Sequence, residues 1–230
     1  MLATRHTSSM PPTIRPAARI RRSRRRLTEE QEIQAQVILR STLPEDGGAW
    51  NRAKAHALTN ELARIELPDR TFTAYLERWG FVPDKPLRKA HGADPFGMKA
   101  WMTLDYPIIA MQARETGSEI LWLGSALLPV LRNARGTEIR STADPVGEHL
   151  VFVTTNRGDR EWLALEYAPT AGTIISFLDL IVQHERAIDL IVPDITPFKE
   201  ASSLRWLQRQ ARRVNIHALP VVSRTINPRR

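Results

Sequence analysis

The sequence predicts an α/β protein: a helical N-terminal unit followed by a mixed sheet with flanking helices. Three observations carry that prediction. Residues 28–82 place apolar side chains at helical spacing between clear break signals. Beyond residue 117, apolar runs of strand length alternate with amphipathic helical stretches. Two of those runs flank "NRGD" (Asn156 to Asp159), a hairpin signal. Hydrophobic residues make up 42% of the chain, enough for a substantial core.

Thr28 with Gln31 three positions on is a capping-box pattern, so the first helix starts there. Ile33, Val37 and Ile38 give it an apolar face, and it ends near Ser41. After the turn "LPEDGG", the second helix spans about 50–64 and carries Trp50, Ala57, Leu58 and Leu62. "ELPD" interrupts the chain, and Asp69 is the expected N-cap of the third helix, "RTFTAYLERW". Gly80 stops that helix in a C-cap role. A further helix is expected over about 96–114, ended by Gly117, with "EILWLGSALL" following as a buried strand. "EHLVFVTTNRGDREWLALEYA" predicts two hairpin strands, "TAGTIISFLDLIVQH" a helix, and "AIDLIVPD" a buried parallel strand. "PFKEASSLRWLQRQARR" predicts one more helix and "NIHALPVV" a last strand. The order β-β-β-α-β-α-β, an antiparallel meander leading into parallel crossovers, is that of a ribonuclease-H-like mixed sheet.

The organisation expected is therefore an arm (1–27), a winged-helix or helix-turn-helix-like domain with a basic linker (28–94), and the sheet domain (95–230). The formal charge of +8 sits in the arm, which holds eight Arg and no acid. The remaining 25 Lys and Arg balance 25 Asp and Glu. Arg21, Arg22, Arg24, Arg25 and Arg26 are its densest part. Such a segment buries too little apolar surface to fold alone, and it attracts phosphates by displacing their counterions. No run of 18 apolar residues exists, so no membrane partner is expected, and the N-terminus lacks a secretory pattern. Without cysteine there are no disulfides, thiolate nucleophiles or Cys-type zinc sites. A cytoplasmic, nucleoid-associated protein is the expectation.

The third helix turns Phe72, Tyr75, Leu76 and Trp79 inward and leaves Arg70, Thr71, Thr73, Ala74, Glu77 and Arg78 outside. A helix with small and polar outer residues can enter a major groove, where Arg and Thr reach base edges and phosphates. Arg70, Thr71, Thr73 and Arg78 are the candidate readers. Lys85, Arg88 and Lys89, in "PDKPLRKA", are the candidate wing contacts to the backbone. The six His residues, His6, His56, His91, His149, His184 and His217, show no metal-ligand spacing. Asp144, Glu148, Asp159 and Asp189 read as turn or surface acids, and Ser118 lacks a nucleophile-elbow context.

"YLERWGFVPDKPLRKAHGADPFGMKAWM" resembles the junction of winged helix and nuclease in bacterial insertion-sequence transposases of the mariner superfamily. "EILWLG", "VFVTTNRG", "FLDLIV", "DLIVPD" and "LPVVSRTINP" follow in that family's order, so the likeness runs from about Leu27 to Arg230. The resemblance implies a DDE/D set of three acids that binds two divalent metals and activates water, then a DNA 3′-hydroxyl. It places the first acid at Gly124, beside Ser125, and the second at Pro193, with Asp194 one residue late. The third falls at Arg230, in "SRTINPRR", where the family has Glu and continues into a further helix. Magnesium takes oxygen ligands, so these residues cannot hold it. A one-residue shift at a strand end also turns Asp194 to the opposite face.

The expected protein is a transposase-like binder of double-stranded DNA, including insertion-element ends, without catalytic acids, metal or cofactor. Its ribonuclease-H-like domain is expected to be incomplete, and a homodimer is compatible with it. Two alternatives stand beside this reading. One is an active, magnesium-dependent endonuclease using Asp194 with a non-standard acid set or a complementing partner. The other is a non-catalytic RNA-binding or interaction protein that uses the Arg-rich arm.

Overall fold

The computed structural model describes residues 26–84, 90, 94–132, 136–138, 146–182 and 187–220. Helix α1 (Glu29–Ser41) opens with the expected capping box: the Thr28 hydroxyl accepts from Gln31 N–H at 3.2 Å, and Gln31 Oε1 accepts from Thr28 N–H at 2.9 Å. Helix α2 (Arg52–Ala63) starts two residues later than expected, because Trp50 and Asn51 form a short strand, β1 (Trp50–Asn51). Asn51 then caps α2 through Lys54 N–H. In α3 (Asp69–Trp79), Pro68 rather than Asp69 takes the N-cap position. The Asp69 carboxylate lies in the first turn, where the helix dipole favours it, and meets Arg52 at 3.3 Å and His56 at 3.3 Å. Gly80 ends α3 at φ 87°, and a Cβ there would also lie 2.4 Å from Pro129, so both backbone and space require glycine.

The single helix expected over 96–114 is two: α4 (Pro95–Leu104) and α5 (Tyr106–Thr116). Pro107 explains the break, since its ring would clash with the carbonyl four residues back in a continuous helix. Strands β2 (Glu119–Leu127), β3 (His149–Thr155) and β4 (Arg160–Leu165) form the meander. Then come α6 (Ala171–Val182), β5 (Ile188–Val192), a 3₁₀ turn (Thr196–Lys199), α7 (Ala201–Arg209) and β6 (Val214–Ala218). The 3₁₀ turn and α7 replace one expected helix; Glu200 is extended between them.

The sheet order is β1-β4-β3-β2-β5-β6. β2–β3, β3–β4 and β4–β1 are antiparallel, while β2–β5 and β5–β6 are parallel. The five strands of the second half thus have the expected ribonuclease-H-like arrangement, with the winged-helix segment preceding it.

Alternation along the strands sorts the core into two faces. Leu121, Leu123, Val151, Val153, Leu190 and Val192 pack with Phe177 of α6 and Trp206 of α7. The other face carries two clusters. Ile120, Trp122 and Ile191 meet α4 and α5 through Met98, Trp101 and Ile109. Leu150, Phe152 and Trp162 meet the N-terminal helices through Leu39, Phe72, Leu76 and Trp79. The segments 28–94 and 95–230 therefore share one core, because Trp50 reaches into the sheet and pairs with Trp162. Leu27, at the end of the expected arm, is buried in that core, and the backbone N–H groups of Arg26 and Leu27 donate to the Tyr75 hydroxyl.

Two buried charges clamp this layer. Arg40 donates to Pro129 O at 2.9 Å and more weakly to Trp79 O and Gln36 Oε1, both at 3.4 Å. Burial pulls its guanidinium down to about 10, with the Glu148 charge opposing. Glu32 accepts from Arg78 at 2.6 Å and from the Trp79 indole at 3.4 Å.

Candidate nucleic-acid interface and the acid positions

The outer face of α3 is narrower than the sequence predicts. Arg70, Ala74 and Glu77 are exposed, and Thr71 is half-buried. Thr73 is also half-buried: its hydroxyl donates to Asp69 O at 2.9 Å and accepts from Arg52 at 3.2 Å. Arg78 is half-exposed yet committed to the fold. Its guanidinium pairs with the 9%-exposed side chain of Glu32 and lies 4.5 Å over the Tyr75 ring. Withdrawing it would strand a buried carboxylate, so Arg78 is corrected from a free reader to a strut between α1 and α3. Arg70 is the candidate reader whose charge is left outward among the described residues of α3. Arg26 is exposed at the mouth of the arm. Lys85, Arg88 and Lys89 lie outside the described residues, as do Arg21, Arg22, Arg24, Arg25 and Arg230.

Nothing local marks Glu32 as buried. It stands in an acidic first turn, "EEQE", where solvent exposure is the default. The Arg78 pairing, 46 residues away, needs the α1–α3 packing to become visible. Arg52 was likewise missed, although it bridges α2 to both Asp69 and Thr73.

At the first acid position, β2 and β3 are in direct register and Gly124 stands opposite Phe152. Trp162 is opposite Phe152 in turn, and Trp50 opposite Trp162. Gly124 closes this row of three aromatic residues across four strands. Phe152 fills the space that a side chain at 124 would take: a Cβ would sit 2.4 Å from the ring's Cζ. A metal-binding carboxylate has no room there.

At the second position, Ile191 packs on the face of β2 that holds Trp122. Asp194 lines a cavity of about 180 Å³ together with Gly124, Ser125 and Pro193 and with Leu123, Val151, Ile174 and Phe198 of the opposite face. Asp194 Oδ1 accepts from Thr196 N–H at 2.8 Å, an Asx turn that leads into the 3₁₀ turn. That bond, then the Thr196 hydroxyl, holds its carboxyl below the ordinary value. The two-metal set of the resembled family does not fit these residues. Among the described residues, no group of three or more His, Asp and Glu is placed to hold a metal ion.

Residues 46–103 match the winged helix-turn-helix family. The winged helix-turn-helix segment covers β1, α2, α3 and most of α4, which makes α3 its second helix after α2. No match was found among curated proteins. Among solved structures, the Mos1 mariner paired end complex with Mn is similar at 11% identity, over 94% of this chain and 62% of that one, with a TM-score of 0.30. The Mos1 strand transfer complex is similar at 11% identity, over 74% of this chain and 72% of that one, with a TM-score of 0.28. The chain thus spans 62% of the length of the first, and likenesses at these scores carry no weight for the site.

Asp189 corrects another expectation. It is 1% exposed inside β5, not a surface acid. Its carboxylate accepts from Ser118, from Asn215 at 3.2 Å and from His217 at 2.8 Å. The carboxylate lies between Ser and His, so no His is placed to activate the Ser118 hydroxyl, and the cluster is a satisfied polar plug. Asn215 and His217, alternate residues of the last strand, were its legible signal. His56 is structural too, with Nε2 2.8 Å from Leu67 O and its ring stacked on Phe72 at 4.7 Å. Asp159 and Glu148 are exposed as expected; Asp144, His6, His91 and His184 lie outside the described residues.

No helix among the described residues is long and apolar enough to cross a membrane.

Proposed function

We propose that this chain is a transposase-like protein that binds double-stranded DNA through α3 and has lost the nuclease chemistry of the family it resembles. The observation that carries the proposal is the winged helix-turn-helix match over 46–103, with α3 exposing Arg70, Ala74 and Glu77 outward. Arg70 takes the reading role, since a bidentate Arg on a guanine edge supplies about 1–3 kcal/mol of discrimination. Lys85, Arg88 and Lys89 take the wing's phosphate contacts, and the arm with Arg21, Arg22, Arg24, Arg25 and Arg26 adds sequence-independent affinity.

The loss of chemistry rests on residue type and space. Gly124 is closed off by Phe152, Pro193 and Arg230 carry no side-chain carboxylate, and the Asp194 carboxylate is engaged by Thr196 N–H. The natural target of such a protein is insertion-element end DNA, occupied without being cut, in a bacterial nucleoid.

The test is selection of duplexes from a random pool, followed by affinity measurement on the enriched and a scrambled sequence. The proposal expects an enriched motif whose preference weakens at one position in Arg70→Ala. It expects no nicking with magnesium or manganese. Metal-dependent nicking abolished by Asp194→Ala would replace it with the active-endonuclease reading. An absence of any duplex preference, with RNA bound more tightly, would favour the interaction protein.

A further inference from the structure

The opposite side of the molecule carries a second charged surface. Helix α7 buries Ser203 and Trp206 against the sheet. Its outward side bears Arg205 and Arg209, and the turn after it continues the line with Arg212. At 100° per residue, Arg205 and Arg209 fall about 40° apart around the helix. Ser202 and Gln208 flank them, and all five are exposed. The exposed face of α7 holds no acid: Glu200 precedes the helix, and Asp179 of α6 accepts from the Trp206 indole N–H. The ion pairs found among the described residues do not include these three arginines.

We propose that the Arg205–Arg209–Arg212 stripe is a second contact surface for the phosphate backbone of duplex DNA, on the sheet face opposite α3. The inference rests on the DNA-binding reading above and adds a site to it. Duplex DNA presents about one negative charge per 1.7 Å of axis, and Arg205 and Arg209 are separated by about 6 Å of helical rise. Neighbouring guanidinium groups can therefore each meet a phosphate along a strand. Short polar neighbours leave the approach open, and an acid-free face removes the internal competitor. Contacts from such a stripe to phosphates carry no base information, so its contribution is independent of sequence. The clusters that separate the two sides show the geometry: α3 packs on Phe152 and Trp162, whereas α7 packs on Leu190 and Val192 through Trp206. A duplex on α3 cannot lie on α7 without bending round the protein, so the stripe takes either a bent continuation or a second duplex.

The experiment uses the full chain carrying Arg205→Gln, Arg209→Gln and Arg212→Gln together, since Gln keeps the polar, unbranched stem. Affinity for a non-specific duplex is followed between 50 and 200 mM salt. At about 0.9 per lost phosphate contact, the log–log slope should flatten by about 2.7, which makes the fall in affinity over that range about 40-fold smaller than in the wild type. A triple Arg→Lys variant should keep the wild-type slope, and both variants should keep its thermal midpoint. If the Gln variant unfolds, the comparison moves to Arg205→Lys/Arg209→Gln/Arg212→Lys, expected to flatten by about 0.9. An unchanged slope in a folded variant, with wild-type binding intact, overturns the stripe and leaves α3 untouched. A wild type that binds no duplex at any salt overturns both. Tighter binding of poly-glutamate than of DNA, lost in the Gln variant, would overturn the duplex assignment in favour of an acidic protein partner.

Discussion

Replacing Gly124 by alanine adds one methyl group to β2, and the structure leaves no space for it. The new Cβ would lie 2.4, 2.8 and 2.9 Å from three carbons of the Phe152 ring. Phe152 is 1% exposed and faces Trp162 across the sheet, so the ring has no solvent to swing into. Two effects compete. Restricting the unfolded chain stabilises by about 0.4–1 kcal/mol where the backbone tolerates alanine. Overpacking a close-packed core destabilises by about 1–3 kcal/mol. Overpacking wins at these distances, for a net loss of about 0.5–2.5 kcal/mol. In a chain of this length, each kcal/mol moves the thermal midpoint by about 2–4 °C, so Gly124→Ala should lower it by roughly 1–10 °C. Gly124→Asp adds a carboxylate that the aromatic row cannot solvate, and its loss should be larger by several kcal/mol. Thermal unfolding followed by circular dichroism measures both. Phe152→Leu should relieve the clash, so the Gly124→Ala/Phe152→Leu double variant should be more stable than the two single losses sum to, with a coupling of about 0.5–3 kcal/mol. An alanine variant at or above the wild-type midpoint would refute the reasoning, because it would show the space at 124 to be open. Magnesium-dependent nicking by Gly124→Asp would go further and show that the acid had only been deleted.

Other expectations follow from the remaining geometry. Arg78→Ala should cost about 1–3 kcal/mol of stability by leaving Glu32 unpaired, discounted for the exposure of Arg78 itself, whereas Arg70→Ala should leave the midpoint within about 0.5 kcal/mol of wild type; urea unfolding separates the strut from the reader. Asp194→Ala should remove an Asx-turn bond worth about 0.5–2 kcal/mol, and Asp194→Asn, which keeps an acceptor, should remove less. Because the folded carboxyl of Asp194 is held below its ordinary value of 3.8, its contribution is full above that pH and disappears as pH falls through the lowered value; the acid limb of a stability–pH curve should flatten in the Asn variant. Lys89→Ala should weaken cognate and scrambled duplexes alike, whereas Arg70→Ala should weaken the cognate one more; equal losses in both would remove α3 from the reading role.

The sequence made the helices and strands legible because their signals are local. A capping box at Thr28, the apolar spacing of Phe72, Leu76 and Trp79, and the "NRGD" hairpin each need only a few neighbouring residues. What stayed hidden depends on contacts across long stretches of chain. Trp50 reads as a helix residue until Trp162 is beside it, and pairing in the sheet then outweighs helical propensity. Arg78 reads as a surface cation until Glu32 is folded against it. Asp189 reads as a strand-end acid until Asn215 and His217 arrive from β6. At the site, the missing carboxylates were plain in the letters. That Gly124 is a filled position rather than an empty one was not, because it depends on the register of β2 against β3.

The row Trp50–Trp162–Phe152–Gly124 bears on how such a chain can change over generations. The wall against which the reader helix folds is built from the sheet's own strands, so mutation cannot discard the sheet and keep the helix. Substitutions at Gly124 are held to what the Phe152 ring leaves room for. Substitutions at Trp162 or Phe152 are held as well, because they would loosen the wall on which Phe72, Leu76 and Trp79 of α3 pack. The sheet therefore persists for as long as α3 does, because the one is the foundation on which the other is folded.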